Sequence, residues 1–179
     1  MIKKQNYLKH AIVLFLLLLL MQPERALAAY ENIEFSSLTN HDGLTNSQVG
    51  AILKDSRGYI WFGTQSGLCR FDGFRMKTFY YSNTDDKSLP NNSVDELQQD
   101  YDGNIWVHTS VGYSIYKYDE EQFDRKPEEL LKDIHVQGPP YKLLIDKNKN
   151  MWIAVYGQGL YYHNAKTKNT YLFKFTKKA

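Results

Sequence analysis

Cys69 is the single cysteine in 179 residues, so no intrachain disulfide can staple the fold, even in an oxidising compartment. Inside a strand-like run, its expected role is that of a small buried apolar side chain. Long hydrophobic runs are also missing. The longest, Ala11 to Met21, falls short of the roughly 20 residues that a spanning helix needs. Helical periodicity is absent except in Lys126 to Ile134, KPEELLKDI, where a short helical turn between strands is expected. No Ser, His and Asp order, no paired carboxylates and no glycine-rich phosphate loop stand out. The five histidines, His10, His41, His108, His135 and His163, lack the paired spacing of a metal site. Neither an active site nor a metal centre is visible, and no cofactor is implied.

An excess of one charge is lacking too, once the N-terminus is read for what it is. Lys3, Lys4 and Lys9 flank the apolar run, and Ala26-Leu27-Ala28 follows it with small residues spaced for signal peptidase. Residues 1–28 therefore read as a secretory signal peptide, the alternative being an uncleaved anchor, for which the run is short. The chain holds 22 basic and 20 acidic residues, and residues 1–28 contain Lys3, Lys4, Lys9, Arg25 and Glu24. The remainder is close to neutral, which gives no electrostatic support for nucleic-acid binding.

What the chain does have is a phrase said three times. GYIWFGTQSGLCRFDG from Gly58 returns as GNIWVHTSVGYSIYKYD from Gly103 and as NMWIAVYGQGLYYHN from Asn150, with Trp61, Trp106 and Trp152 spaced 45 and 46 residues apart. Each copy reads as an apolar strand, a polar turn, the Trp strand, a Gly-containing connection and an aromatic-rich strand. In the first copy these are Val49 to Lys54, Asp55 to Gly58, Tyr59 to Thr64, Leu68 to Phe71 and Arg75 to Tyr81. Runs of Ile, Val, Tyr, Phe and Trp bounded by Asp, Asn and Gly are the composition of antiparallel strands. Four strands in about 45 residues, in tandem, is the grammar of a β-propeller blade. A β-solenoid would have shorter coils, and a generic β-sandwich would not explain the period. The expected fold is all-β: about three blades, each a four-stranded antiparallel meander, of an incomplete ring.

Within the Trp phrase, alternation places Ile60 and Phe62 on one face and Trp61 and Gly63 on the other. Both faces of a blade are covered by its neighbours, so successive apolar residues are expected. A tryptophan at the same place in every copy reads as core. Asp55-Ser-Arg-Gly58, Asp100-Tyr-Asp-Gly103 and Asp146-Lys-Asn-Lys-Asn150 invite a calcium reading, but Val111 and Gly157 hold the twelfth positions where an EF-hand loop needs Glu. Tight-turn chemistry is the better account: Asp bonds the local backbone and Gly accepts positive φ. His108 replaces Gly63 and Ala154 of the other copies, either filling a void or projecting a polar ring toward the adjoining connection.

The pattern of an apolar strand, Asp-x-x-Gly, Ile-Trp-Phe-Gly-Thr-x-x-Gly-Leu and Arg-Phe-Asp resembles the two-component regulator propeller repeat. The opening Phe35-Ser-Ser-Leu-Thr with Asp42-Gly43-Leu44-Thr-Asn-Ser is similar to the way such sensors begin. The third copy departs, with Lys149 at the turn-glycine place and one residue inserted before Gly159. The resemblance implies the N-terminal part of a periplasmic sensor in a hybrid histidine kinase, often responsive to carbohydrate, whose full-length parent is anchored in the inner membrane. The kinase activity would lie in that parent, not in this chain. Implied partners are a small-molecule or oligosaccharide ligand and the remainder of a longer receptor, with a homodimer of the receptor left open. Alternatives are a stand-alone exported binding or scaffold protein and the sensor region of a diguanylate cyclase.

Three blades cannot close a ring, because propellers typically need four to eight, so the chain is expected to be a fragment, with residues 29–48 as a strand completing a missing last blade. The blades are expected over residues 49–93, 94–139 and 140–179. In a meander every second connection lies at one end, which groups on one rim Gln65, Ser66, Asn91, Asn92, His108, Ser110, Tyr156 and Gln158. Amides, hydroxyls and tyrosines suit a neutral, hydroxyl-rich ligand, and this rim is the candidate binding surface. The bland alternative is that they are ordinary loop residues. The signal reading predicts an exported form beginning at Ala29, with Ala26 and Ala28 at the minus-three and minus-one positions. Intact mass checks it, and a membrane species retaining Met1 to Ala28 would contradict it.

Overall fold

The Asp-x-x-Gly turns are hairpins, and each joins the first two strands of a sheet. The computed structural model describes residues 35–174. The first sheet is β1 (Val49–Lys54), β2 (Ile60–Thr64), β3 (Gly67–Phe71) and β4 (Met76–Phe79). The second is β5 (Val94–Gln99), β6 (Ile105–Thr109), β7 (Gly112–Lys117) and β8 (Gln122–Asp124), and the third is β9 (Pro140–Ile145), β10 (Met151–Val155), β11 (Gly159–His163) and β12 (Thr170–Phe173). In each sheet the strands pair in chain order and every pairing is antiparallel. The fold is therefore all-β, three propeller blades, as the repeat period implies. The segment expected to be helical is α1 (Pro127–Asp133), between the second and third blades. Among the described residues no helix is long and apolar enough to cross a membrane. The export signal lies outside the described residues, as do residues 29–34 of the strand expected over 29–48; residues 35–48 carry no strand, and Asn40–Asp42 form a 3-10 turn.

The hairpin aspartate has two jobs. Asp55 accepts the backbone N–H groups of Arg57 at 2.9 Å and Tyr59 at 3.0 Å on Oδ1, while Oδ2 accepts the Trp61 indole Nε1–H at 2.6 Å. Asp100 repeats this, with Asn104 N at 2.9 Å on Oδ1 and Trp106 Nε1 at 2.9 Å on Oδ2. In the third copy Asn148 and Asn150 donate to Asp146 at 2.8 and 3.0 Å. Burial opposes ionisation of Asp146, but bonds from Asn150, Asn148 and the Trp152 side chain outweigh it and hold its carboxyl below the ordinary value. Gly58 and Gly103 supply the left-handed φ of 92° and 89° that the hairpin requires. Lys149 takes that place with φ 65°, at a cost of about 1–2 kcal/mol, and its Nζ donates to the Gln99 carbonyl of the second blade at 3.0 Å.

Trp61 faces the second blade. It packs with Leu97, Ile105, Val107 and Tyr116 in one cluster, its ring edge-on to Tyr116 at 5.0 Å and stacked on Phe79 at 5.9 Å. Gly63 is required on this face, because a Cβ there would lie 2.7 Å from Val94 of the next blade. Trp106 repeats the arrangement toward the third blade, clustering with Leu143, Met151, Ile153 and Tyr161, and with Leu131 and Val136 around α1. Side-chain amides extend the backbone network across both junctions. Gln99 exchanges bonds with Ser56 at 2.9 and 3.0 Å, and Gln98 bridges the Leu143 carbonyl and the Ile145 N–H at 2.7 and 2.6 Å. The opposite face of the first blade buries Phe62 and Cys69 under Leu44, and Cys69 is a free, buried thiol.

Trp152 differs from its two counterparts. It is half-buried, packs on Tyr162 of its own sheet at 4.5 Å, and lies in a cross-strand row with Leu144, Tyr162 and Tyr171. That contrast gives a test. Asp100→Ala is expected to cost about 1–3 kcal/mol beyond the loss of the turn bonds, because it leaves a buried indole N–H without an acceptor. Asp146→Ala removes equivalent turn bonds but frees an indole that water can reach, so its loss in urea unfolding is expected to be smaller. An equal or larger loss for Asp146→Ala would contradict this account of the clamp.

Candidate functional site

The rim bearing the β2–β3, β6–β7 and β10–β11 turns is held together by its own polar groups. Asn46 Nδ2 donates to Ser66 Oγ at 2.9 Å, and the Ser93 hydroxyl donates to Gln65 Oε1 at 2.9 Å. Asn91 Oδ1 accepts from Ser93 N at 2.8 Å, and Asn92 Oδ1 accepts from Tyr81 N at 2.7 Å. The side-chain carbonyls of Gln65, Asn91 and Asn92 are therefore engaged in shaping the connection between the first and second blades. Their NH₂ groups donate to no acceptor among the described residues, which leaves a set of hydrogen-bond donors at the rim. Ser110 is exposed in the β6–β7 turn.

On the third blade Tyr156 and Gln158 flank Gly157 in the β10–β11 turn. They line a depression of about 440 Å³ with Tyr141, Ala154 and Val155. Tyr156 is 91% exposed and Tyr141 74%, so both rings are free to stack. Gln158 Oε1 accepts from the Tyr161 hydroxyl at 2.6 Å, and its NH₂, like those of the first junction, has no acceptor among the described residues. The structure thus brings Gln65 and Ser66 beside Ser93 and Asn46, and places Tyr156 beside Gln158.

His108 turns to partners on the strands of its own blade, not toward the adjoining connection. Its Nδ1 lies 2.5 Å from Asp95 Oδ1, and its ring sits 4.5 Å from that of Tyr113. Tyr113 in turn donates to Glu96 Oε2 at 3.0 Å and accepts from Leu143 N at 2.9 Å. Lys142 of the third blade pairs with Glu96 Oε1. Burial pushes the Tyr113 phenol above its ordinary value, with the Leu143 N–H opposing and the Asp95 charge adding to the rise, so it stays a neutral donor. Asp95, Glu96, Tyr113 and Lys142 are site-side residues that the reading of the rim loops overlooked. A signal was present: Ala51, Glu96 and Lys142 occupy one position of the repeat, opposite Gly63, His108 and Ala154, and two of the three carry opposite charge.

Among the described residues no group of three or more His, Cys, Asp or Glu could hold a metal ion, and no catalytic domain is evident. Three four-stranded antiparallel blades in tandem make this a propeller-type chain. Residues 43–66 and 88–110 match the family model of the two component regulator propeller. A histidine kinase of Formosa agariphila is 41% identical over 61 residues, which is 34% of this chain and 4% of the relative. The crystal structure of the extracellular domain of a hybrid two component system from B. thetaiotaomicron aligns with a TM-score of 0.55 and 25% identity, over 78% of this chain and 20% of that one. A one component system's extracellular domain from the same organism aligns at 0.46 with 19% identity, over 70% and 18% of the two chains. The chain spans only these small fractions of the proteins it matches.

The Glu96–Lys142 pair bridges the second and third blades with side chains 27% and 59% exposed. Solvent screening limits it, and a double-mutant cycle of Glu96→Gln and Lys142→Met is expected to show coupling of about 0.5–1 kcal/mol in urea unfolding. Raising the salt should shrink that coupling. Coupling that is absent at low salt would remove the pair from the junction.

Proposed function

We propose that this chain supplies blades to the extracytoplasmic sensor region of a two-component receptor, whose rim recognises a neutral, hydroxyl-rich ligand of the oligosaccharide class. The observation that carries the receptor reading is the alignment of 78% of the chain, at 25% identity, with the extracellular domain of a hybrid two component system. The propeller repeats in the first two blades support it. On this reading the chain is exported, its partner is the remainder of a receptor anchored in the inner membrane, and the output is a histidine kinase.

The ligand class rests on the chemistry of the rim. Free NH₂ groups on Gln65, Asn91, Asn92 and Gln158, the Ser66 and Ser110 hydroxyls and the His108 ring offer directional contacts to sugar hydroxyls. Tyr156 offers a flat face to a pyranose ring. The amides are rigid because their carbonyl oxygens are already bonded, which lowers the ordering cost of binding. Replacement of Gln65, Asn92 and Gln158 by Ala in the full-length protein is expected to weaken oligosaccharide binding by about tenfold or more, as lost hydrogen bonds of roughly 1 kcal/mol each imply. Titration calorimetry measures it, with Arg57→Ala and Asp102→Ala on the opposite rim as controls. Unchanged affinity in the triple variant, with a loss in the controls, would put the ligand at the other end of the blades.

A further inference from the structure

The connection between the second and third blades carries α1 and then residues 134–139, which cross the outer strands of the third blade. Two anchors fix this segment. Val136 is buried in the core with its N–H bonded to the Leu131 carbonyl at 2.9 Å. The Thr170 hydroxyl of β12 donates to the Ile134 carbonyl at 2.6 Å. Between these anchors His135 adopts a left-handed φ of 62°, and beyond them Gly138 adopts one of 88°. A left-handed non-glycine residue costs about 1–3 kcal/mol and persists only where its surroundings impose it.

A cleft of about 510 Å³ opens between this segment and β11–β12, within the range of small-molecule sites. His135 and Gln137 form one wall, and Thr170, Leu172 and Lys174 another, with Gln158 at the edge shared with the neighbouring depression. Among the described residues no aspartate or glutamate lines it. The turn from Tyr156 to Gln158 therefore separates two unlike surfaces. On one side are the exposed rings of Tyr141 and Tyr156 with Ala154 and Val155 and no cation; on the other are an ammonium, an imidazole and amides around Leu172 and the buried ring of Tyr161.

We propose that the cleft lined by His135 and Lys174 is a second ligand site, selective for a small carboxylated polyol such as a uronate. Lys174 supplies the charge for the carboxylate, the His135 ring and the Gln137 and Gln158 amides supply directional bonds to it and to hydroxyls, and Leu172 meets the apolar face of the ring. Gln158 is shared with the rim, but the cation, imidazole and leucine that set the selectivity of this cleft are not among the rim residues.

The test is titration calorimetry of the full-length exported protein with glucuronate, glucose and acetate at low ionic strength. Glucuronate is expected to bind saturably, and glucose and acetate at least about tenfold more weakly. His135→Asn keeps a side chain that tolerates left-handed φ, and combined with Lys174→Gln it is expected to weaken glucuronate binding by about tenfold or more with an unchanged melting temperature. Tyr156→Ala, across the turn, should leave glucuronate binding unaltered. Absence of saturable glucuronate binding, equal affinity for glucose or acetate, or undiminished binding in the double variant would each overturn the proposal. A failure of Gln65→Ala and Asn92→Ala to affect neutral oligosaccharides bears on the rim alone.

Discussion

An indole buried between two sheets needs an acceptor for its N–H, and in this chain the acceptor is always the aspartate six residues earlier. The hairpin dictates that choice. One carboxylate oxygen closes the turn by accepting backbone N–H groups, which swings the other over the strand that the turn has just produced. Trp61 and Trp106 can then be almost wholly removed from water without an unsatisfied donor, gaining an upper bound of about 4–6 kcal/mol each for some 150–250 Å² of ring surface. In the first blade the same carboxylate also accepts from Tyr118 of the second. Hairpin, strand and blade junction thus share one group. Burial and that acidic partner push the Tyr118 phenol upward, which keeps it the neutral donor the junction needs.

Charged side chains tie the blades where the apolar packing ends. Arg70 of the first blade donates to the Tyr116 hydroxyl at 3.0 Å and to Glu121 at 3.0 Å, both on the second, and stands over the Tyr59 ring at 4.6 Å. Burial is the main reason that the Tyr116 phenol is pushed up to about 12. Arg125, just after β8, reaches into the long β4–β5 connection, where it meets the carbonyls of Ser82, Asp85, Ser88 and Leu89 and the Ser88 hydroxyl. A guanidinium suits this place because its donors fan out in a plane and are spread over several acceptors. Leu89 is thereby held in the core between the blades. The loop that leads to the rim is therefore rigid at its base, and the orientation of Asn91 and Asn92 follows from that latch.

The rim shows how far sequence reasoning reaches into a site. Connectivity alone places Gln65, Ser66, Asn91, Asn92, Ser110, Tyr156 and Gln158 on connections at one end of the blades, since an antiparallel meander returns to the same end every second turn. It does not say which atoms are spent internally. Asn92 Oδ1 is committed to Tyr81 and Gln158 Oε1 to Tyr161, so the donors and not the acceptors face outward. The charged cluster was harder to see. Glu96 and Lys142 belong to strands in different blades, each inside a run read for alternation of apolar residues, and the depression beside Tyr156 has walls from separate strands.

Local and periodic features of this protein were written in its sequence: the strand count, the hairpins and the core role of the tryptophan, which holds for Trp61 and Trp106 but not for the half-buried Trp152. They arise from residues within about 45 positions of one another, through turn chemistry and the two-residue period of a strand. The helical turn at Pro127 was legible for the same reason. Relations between blades were decided only in three dimensions. Nothing local announces that Gln98 will bridge the backbone of β9, that Arg125 will latch the preceding loop, or that Lys149 will accept a strained φ while reaching Gln99. The physical reason is that these contacts depend on how one twisted sheet is set against the next. That setting comes from the packing of whole faces, with Val94 against Gly63 and the Trp106 cluster against Ile153, and no single segment encodes it.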